Sequence, residues 1–510
     1  VVIGAFLSII LGAANAYLGL VAGMTVAATF PAAVMAMAAL RLMRGTILEE
    51  NTCRTTAAVG EALVAGAIFT IPAFLIAKNP TTGEPIWDNI HYWESTALML
   101  VGGMLGVLFV IFLRRMLIDD KSLPFPESVA CAEIVKAGQG HATGAKYVFG
   151  MIGLSALLEL LRNDFGLMLV RGYVKQFWVL PVVKNFKLLT SGFEQVGAAT
   201  NPQGGIFIES PDASPAMLGV GYIIGPKLAA IVFAGGVFGH MMLVPLFIFI
   251  NGTFGDTTDW LQTSAAVWNS QVRPLAVGAM LVGAFYTLFK MRKSLGTGIA
   301  RAFGDLKKIG KDKSDSKTSR IERDLPYSGT IIAIIVLVIP IAILYYHFSH
   351  NLLGAIVSAI VMTVAGFLFA AVAGFLVGTI GSSNNPISGL TLSTLIVAAI
   401  LMVIVGVKGA FGIAAVLGVA AVVCCSSGVA GDIIQDLKTG HILGGTPKAM
   451  ELGCIIGVIA AGFVMALVLQ LLHSGYAEMG GIGGELLPAP QAGLMAMLSQ
   501  GIITGQMAWP

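Results

Sequence analysis

The stretch SIILGAANAYLGLVAGMTV (residues 8–26) begins as an apolar helix and runs into a small, polar, glycine-rich break. A second stretch, AAVAGFLVGTIGSSNNPISGLTLS (370–393), repeats this pattern, with its break at GSSNNPISG (381–389). Paired interrupted helices in two halves of a chain are typical of substrate sites in secondary transporters. Segments rich in Gly and Ala also resemble one another by chance, so an internal repeat and a coincidence both stay open. The pattern predicts a membrane protein with two broken helices.

The composition supports a membrane protein and excludes an ordinary soluble fold. Of 510 residues, 56% are hydrophobic and 11% are charged, against about 25% charged in soluble domains. A helix that crosses a bilayer needs about 20 apolar residues, so the chain can supply on the order of a dozen or more spans. The formal charge of +3 and the lack of a basic patch interleaved with aromatic residues argue against a nucleic-acid partner.

Apolar windows of span length occur on both sides of a polar, basic stretch. We therefore expect an N-terminal membrane half at 1–290 with about eight spans, a basic loop at 291–328 and a C-terminal half at 329–510 that is incomplete. The predicted spans are 1–22, 23–42, 55–77, 95–117, 147–161, 214–233, 234–251, 273–290, 329–347, 352–378, 388–405, 406–430, 449–473 and 491–504.

The distribution of charge predicts the orientation in the membrane. Residues 290–324 contain eleven Lys and Arg, and short basic loops stay in the cytoplasm. We predict that this loop and the N-terminus are cytoplasmic, and that the acidic stretches 78–94 and 252–272 are external. Two other stretches are predicted to be cytoplasmic loops by their basic residues, which are Arg41, Arg44 and Arg54 in one and Arg114, Arg115 and Lys121 in the other.

Two segments do not fit the pattern of spans. LPFPESVACAEIVKAG (123–138) is too short to cross a bilayer, and we expect a re-entrant or interfacial segment near 123–140 in which Glu133 and Lys136 form an ion pair. Residues 162–213 mix charged residues, Trp and Pro with AATNPQGGIF, which predicts an extracellular excursion of short helix and loop.

Three carboxylates are the candidates for proton coupling, because an ionisable group inside hydrocarbon is a functional hypothesis by default. Glu61 lies in TTAAVGEALVAGAIFTIPAF (55–74), where Gly60 lets a helix or a substrate approach it. Asp432 and Asp436 share one helical face in SSGVAGDIIQDLKTGHILGGTPK (426–448). The alternatives are a carboxylate held near a helix end for Glu61, and a helix end that emerges into the cytoplasm for the aspartates.

Polar side chains near the breaks are the candidates for substrate contact. In GVGYIIGPK (219–227), Pro226 frees a backbone carbonyl next to a phenol and an ammonium group, although a structural kink explains the same residues. The predicted substrate-binding residues are Asn15, Tyr17, Tyr222, Lys227, Asn384, Asn385 and Gln435.

Enzyme chemistry finds no support in the motifs. The sequence lacks HExxH, GxSxG, a P-loop and a GxGxxG that follows a strand. The five cysteines lie in apolar stretches without CxxC spacing. We expect no enzyme activity, no bound cofactor and no protein-held metal, with a proton gradient as the energy source.

Five blocks resemble the oligopeptide transporter family, in the order in which that family has them. They are GAANAYLGLVAGMTVAATFPAAV, LPFPESVACAEIVKAG, GVGYIIGPK, AGDIIQDLKTGHILGGTP and LPAPQAGLMAMLSQGI. The resemblance covers the whole chain. It departs from the fungal and plant peptide branch, because NPG is absent and GHILGGTPKAM stands where that branch has KIPPR. The chain is thus more similar to the bacterial and yellow-stripe-like branch.

The resemblance implies an all-α polytopic protein of about 16 spans, with a central substrate cavity between two halves. It implies a proton-coupled symporter in the bacterial inner membrane that imports small oligopeptides, or alternatively a carrier of metal chelates. A passive channel is a further alternative, because glycine-rich broken helices also line pores, and a receptor without transport is another. The expected partners are a peptide or chelate, the lipid bilayer and a second copy of the chain.

Overall fold

The computed structural model describes residues 1–138, 143–162, 169, 175–179, 205–209, 215–251, 260–273, 319–484 and 486–505, with eight single positions between 275 and 292. The described residues are almost entirely helical. They form two compact units, one of Val1–Phe149 with Gly283–Trp509 and one of Gly150–Val282 with Pro510. The predicted division at the basic loop 291–328 falls mostly outside the described residues and stays a prediction.

The chain begins with seven helices and then enters the second unit. The first seven are α1 Val2–Ala22, α2 Thr29–Leu42, α3 Ile47–Thr70, α4 Ala73–Ile76, α5 Tyr92–Ile118, α6 Pro126–Gly138 and α7 Thr143–Arg162. The second unit contains β1 Lys175–Val179, β2 Gly205–Glu209, α8 Pro215–Val237, α9 Val244–Asn251 and α10 Trp260–Val267, with π-helical turns at Phe238–Leu243 and Trp268–Val272.

Six further helices complete the first unit. They are α11 Tyr327–Ser349, α12 Leu352–Ile380, α13 Ile387–Val405, α14 Gly409–Leu443, α15 Pro447–Gly475 and α16 Pro490–Thr504. Across the described residues, nine helices are long and apolar enough to cross a membrane. The prediction of an all-helical polytopic membrane protein is confirmed, whereas the expected 16 spans stay a prediction.

Two long helices, α3 and α14, form the centre of the first unit. Every residue of α14 from Gly412 to Leu437 is buried, as is every residue of α3 from Cys53 to Thr70. The α14 helix packs against α3, α5, α12 and α13, and α1 packs against α3. The contact between α1 and α3 is close at Gly60, where a Cβ atom would lie 2.1 Å from Ser8 Oγ.

The outer helices of the first unit carry the apolar side chains that a bilayer would cover. On α11, five isoleucines at helical spacing are each more than two-fifths exposed, and they are Ile331, Ile332, Ile335, Ile339 and Ile343. An exposed apolar band of this kind is the expected surface of a membrane-spanning helix. Among the described residues, α3 and α14 are the two helices with the most buried polar side chains.

Both predicted helix breaks are present. The first helix ends at Ala22 with Gly23 in the left-handed conformation, and α2 starts only at Thr29. The α12 helix ends at Ile380, Gly381 has φ 88°, and α13 resumes at Ile387. The prediction of a complete span at 23–42 is wrong, because six residues of this window are not helical and the 14 residues of α2 reach only about 21 Å.

Two predictions about the ends of helices are wrong. Arg54, expected in a loop, lies inside α3, because Thr46 and Glu49 form a capping box that starts this helix at Ile47. The predicted span 406–430 continues to Leu443, since the polar residues of 426–443 are helical and Gly444 ends the helix with φ 75°. The alternative of a helix end that emerges at the aspartates is therefore wrong.

The second unit also differs from its predicted form. The predicted boundary between the spans 214–233 and 234–251 is absent, because α8 runs through the π-helical turn Phe238–Leu243 into α9. The interruption lies earlier, at Gly225, which has φ 78° and precedes Pro226. Within 162–213, β1 and β2 pair as antiparallel strands where short helix and loop were expected. Most of AATNPQGGIF lies outside the described residues.

Candidate functional site at the two helix breaks

Glu61 on α3 and Asp432 on α14 form a buried pair of carboxyl groups. Their side chains are within hydrogen-bonding range of each other, and the two residues are 2% and 7% exposed. Two carboxyl groups can hydrogen-bond only when one of them carries a proton, because an ionised carboxylate has no proton to donate. Two ionised carboxylates this close would also repel each other strongly in a buried position.

The first helix break contacts this pair through its backbone. The amide N–H of Ala28, directly before α2, donates to Oε2 of Glu61 at 3.3 Å. The break is held in shape by Asn15 on α1, whose Nδ2 donates to the carbonyl of Val26 at 2.8 Å and whose Oδ1 accepts from Val26 N at 3.1 Å. Asn15, predicted to bind substrate, thus binds the backbone of its own break in this structure.

The second break contacts the other carboxyl group. The hydroxyl of Ser382 donates to Oδ1 of Asp432, and the amide of Ser382 donates to Glu127 Oε2 at 3.1 Å. The amide of Ser383 donates to Glu127 Oε1 at 3.3 Å. A Cβ atom on Gly381 would lie 2.4 Å from Glu127 Oε1, so this carboxylate can approach the break only because position 381 has no side chain.

Gln435, one turn of α14 after Asp432, joins the two breaks directly. Its Oε1 accepts from Ser382 N at 2.9 Å, and its Nε2 donates to the hydroxyl of Thr29 at 3.0 Å. Thr29 is the first residue of α2, immediately after the first break. A single side chain of the central helix therefore holds both breaks in register with the carboxyl pair.

The next polar residue on α14, Asp436, has a different environment. It forms a fully buried ion pair with Arg54 on α3. Arg54 Nη2 also donates to Asn51 Oδ1 at 3.0 Å and to the Asp436 carbonyl at 3.2 Å. The ion pair gives Asp436 a permanent cationic partner, and its predicted role in proton coupling stays a prediction.

The short helix α6 and the residue before it are hydrogen-bonded to α14 and α12 beside the site. The Ser128 hydroxyl donates to the carbonyl of Gln435 at 2.8 Å, and the amide of Phe125 donates to the carbonyl of Gly378 at 2.9 Å. Cys131 is fully buried and packs with Ala33 and Val135, and burial raises the pKa of its thiol. The predicted ion pair between Glu133 and Lys136 is confirmed at 2.9 Å.

Asn385 has a buried side-chain amide without a hydrogen-bond partner. Neither its Oδ1 nor its Nδ2 makes a hydrogen bond in the structure. The amide lies beside Gly431, where a Cβ atom would be 2.7 Å from Nδ2, and Gly431 directly precedes Asp432. A buried unpaired amide is costly, so this group is the strongest candidate in the site for a contact made with a ligand.

The remaining predicted residues lie in several places. Asn384 is in the 3₁₀ turn Ser382–Asn384, and Tyr17 is half-buried on α1. Tyr222 and Lys227 lie on α8 of the second unit with exposed side chains, and their role as ligand contacts stays a prediction.

Four residues of the site were not predicted from the sequence, and they are Arg54, Thr29, Ser382 and Glu127. For Glu127, the signal was present in PFPE, because a carboxylate in the first turn after a proline is well placed to accept amide hydrogen bonds.

The site combines carboxyl oxygens with backbone and side-chain hydrogen-bonding groups. Glu61, Asp432 and Glu127 supply carboxyl oxygens, while both breaks expose backbone groups next to them. Within the described part of the chain, no group of three or more His, Cys, Asp or Glu is arranged to hold a metal ion. A substrate would therefore meet acidic groups and hydrogen-bonding groups at the same point.

Comparison with known proteins gives one family. Residues 1–510 match the family model described as OPT oligopeptide transporter protein. The chain is 31% identical over 520 residues to a "Putative oligopeptide transporter" of Haemophilus influenzae, covering 97% of this chain and 76% of that protein. It is 24% identical over 422 residues to a metal-nicotianamine transporter of Arabidopsis thaliana, covering 78% of this chain and 56% of that protein.

Proposed function

Since the chain belongs to the oligopeptide transporter family, we propose that it is a proton-coupled symporter that imports small oligopeptides. The Glu61–Asp432 pair carries the proton, and the two helix breaks contribute the substrate contacts. The chain lies in the inner membrane of a bacterium, with the N-terminus and the loop 291–328 in the cytoplasm. Reporter fusions at residues 85 and 310 test this orientation, which requires opposite compartments for the two reporters.

The observation that carries the proposal is the attachment of each break to one carboxyl group of the pair. Ala28 of the first break donates to Glu61, and Ser382 of the second donates to Asp432. Gain or loss of the shared proton changes the charge that both breaks face. Because the breaks are the flexible points of their helices, protonation and rearrangement of the substrate-binding backbone are coupled in this scheme.

The polar groups of the site are complementary to a short peptide. Carboxyl oxygens of Asp432 and Glu127 attract an N-terminal ammonium group. The unpaired amide of Asn385 offers a donor and an acceptor, which are the two groups that a peptide bond requires. A peptide would therefore satisfy groups that lack a partner here, while its ammonium would interact with the acidic oxygens.

Uptake into tight proteoliposomes tests the function. We expect a mixed pool of tripeptides to pentapeptides to accumulate only under an inward proton gradient, and to equilibrate without accumulation when the gradient is abolished. Equilibration of the peptides to the same level with and without the proton gradient would support a passive channel. Binding without any flux would support a receptor.

Metal-chelate uptake is the second candidate, and the observation that favours it is the similarity to the metal-nicotianamine transporter. A chelate presents the same carboxylate, amine and amide groups as a peptide, so the site can interact with either. Iron and nickel chelates are therefore included in the same assay. Accumulation confined to the chelates would replace the peptide proposal with this one.

A further inference from the structure

Residues 319–326, which we call the strap, connect the ends of three helices in the first unit. Arg320 Nη2 donates to the carbonyl of Gly444 at the end of α14, at 3.1 Å. The amide of Lys448 at the start of α15 donates to the carbonyl of Arg323 at 2.9 Å. The amide of Leu325 donates to Oε2 of Glu451 on α15 at 2.8 Å. The strap is therefore fixed by hydrogen bonds to elements far apart in the sequence.

Asp324 fixes the strap to the third helix, α5. Its Oδ2 accepts from Arg114 Nη2 at 2.9 Å and from Arg115 Nε at 3.0 Å. Arg115 Nη2 also donates to the carbonyl of Glu322 at 3.2 Å. The side chains of Asp324 and Arg114 are 2% and 3% exposed, so these two charges are enclosed by protein, whereas the Arg115 side chain is 41% exposed. Both arginines of α5 are thus directed to Asp324 and to the strap backbone.

Glu451 is the member of this cluster without a cationic partner of its own. The residue is fully buried, and its side chain is within hydrogen-bonding range of the Asp324 carboxyl group. Its Oε1 is buried and accepts no hydrogen bond, while Oε2 accepts only the backbone amide of Leu325. A proton on Oε1 of Glu451 turns the contact with Asp324 into a hydrogen bond and satisfies the unpaired oxygen.

We propose that Glu451, which faces Asp324, is a second proton-binding site, and that the bound proton keeps the strap docked on α5, α14 and α15. This site is separate from Glu61 and Asp432, and the inference does not depend on the proposed function. Among the described residues, the other titratable or charged groups on the elements around Glu451 are Arg114 and Arg115 on α5, Arg320, Glu322 and Arg323 in the strap, Tyr327 on α11, His441 on α14, and Lys448 and Cys454 on α15.

The direction of the pH effect follows from the geometry. At acidic pH Glu451 holds its proton, and the strap is docked by a hydrogen bond from Glu451 to Asp324. As pH rises the proton leaves, and two carboxylates face each other in a buried site where only Asp324 accepts hydrogen bonds from arginine. Repulsion then disfavours the docked strap, so docking is lost towards alkaline pH.

Hydrogen exchange of the strap, measured by mass spectrometry on the whole protein in lipid nanodiscs, tests the inference. After correction for the intrinsic pH dependence of exchange, protection of the Leu325 amide in the wild type should fall about tenfold or more from mildly acidic to mildly alkaline pH. In Glu451→Gln, protection should stay constant, because the glutamine amide donates to Asp324 without titrating. The matched control is Glu322→Gln, an exposed residue of the same strap, which should follow the wild type.

A second variant guards against misfolding of Glu451→Gln. Asp324→Asn keeps an acceptor oxygen for the arginines and removes one of the two facing charges, so docking should persist to a higher pH than in the wild type. Wild-type protection that does not change with pH would overturn the proposal. Loss of protection in either variant at the same pH as in the wild type would also overturn it.

Discussion

Arg54 and Asp436 form a fully buried ion pair between α3 and α14, the same two helices that carry Glu61 and Asp432. The Arg54–Asp436 contact between these helices thus joins opposite charges, whereas the Glu61–Asp432 contact joins two acidic groups. The balanced pair lies two turns of α3 from Glu61. Two facing acids are costly in a buried position, so the Glu61–Asp432 pair, and not the ion pair, is the candidate for a functional role.

Removal of Arg54 should destabilise the protein strongly. Arg54→Leu leaves the carboxylate of Asp436 buried and without its cation, a change that costs about 3–5 kcal/mol. The double variant Arg54→Leu with Asp436→Leu removes both charges and should recover most of this loss. Thermal unfolding of the purified proteins in detergent measures the difference. Equal stability of the single and the double variant would contradict a dominant role for the ion pair.

Neutralisation of Glu61 should uncouple uptake from the proton gradient. A glutamine at position 61 can still accept from Ala28 N and donate to Asp432, so the local structure is preserved while proton exchange is lost. For one proton per peptide, a pH difference of about one unit supports about tenfold accumulation, since it corresponds to about 1.4 kcal/mol. Glu61→Gln should lose this accumulation and keep exchange of labelled for unlabelled peptide.

The companion variant at the other carboxyl group sharpens this test. Asp432→Asn should also make uptake insensitive to external pH, whereas wild-type uptake should decrease as external pH rises and the pair loses its proton. Asp436→Asn tests the alternative carrier at the neighbouring turn. Full gradient-driven accumulation in Glu61→Gln and Asp432→Asn would remove this pair from the mechanism.

The pattern of the sequence locates the breaks and the acidic residues but not their partners. Glycine-rich interruptions in apolar helices are a local signal, and they predicted a break in each of the two stretches, although the span predicted at 23–42 was wrong. The pairing of Arg54 with Asp436 joins residues 382 positions apart, and no local pattern encodes such a contact. Arg54 was also misplaced in a loop, because a basic residue near a helix end resembles a loop residue unless the capping box is recognised.

Replacement of the unpaired Asn385 amide should lower peptide uptake without lowering thermal stability. Asn385→Leu has a similar volume and removes a buried polar group without partners, so thermal stability should stay equal or rise, by up to about 1–3 kcal/mol. If the amide binds the substrate, peptide uptake should fall with a raised KM. Ser393→Ala on α13, the helix that follows the break, is the control, since its hydroxyl donates to the carbonyl of Gly389 within that helix. Unchanged uptake in Asn385→Leu would exclude the amide as a contact.

The connection between the two breaks through Gln435 permits a test of their coupling, because each half of its amide serves one break. Gln435→Glu keeps an acceptor for Ser382 N and can accept from the Thr29 hydroxyl instead of donating to it, so it leaves both breaks attached. Gln435→Leu removes both bonds and should cost about 1–3 kcal/mol. We expect Gln435→Leu to lose gradient-driven accumulation, because the first break is no longer held to the same side chain as the second. The control is Thr439→Val, one turn further along α14, which loses a hydrogen bond to the Ser128 carbonyl without contact to either break. Accumulation in Gln435→Leu equal to that in Thr439→Val would show that the breaks move independently of Gln435.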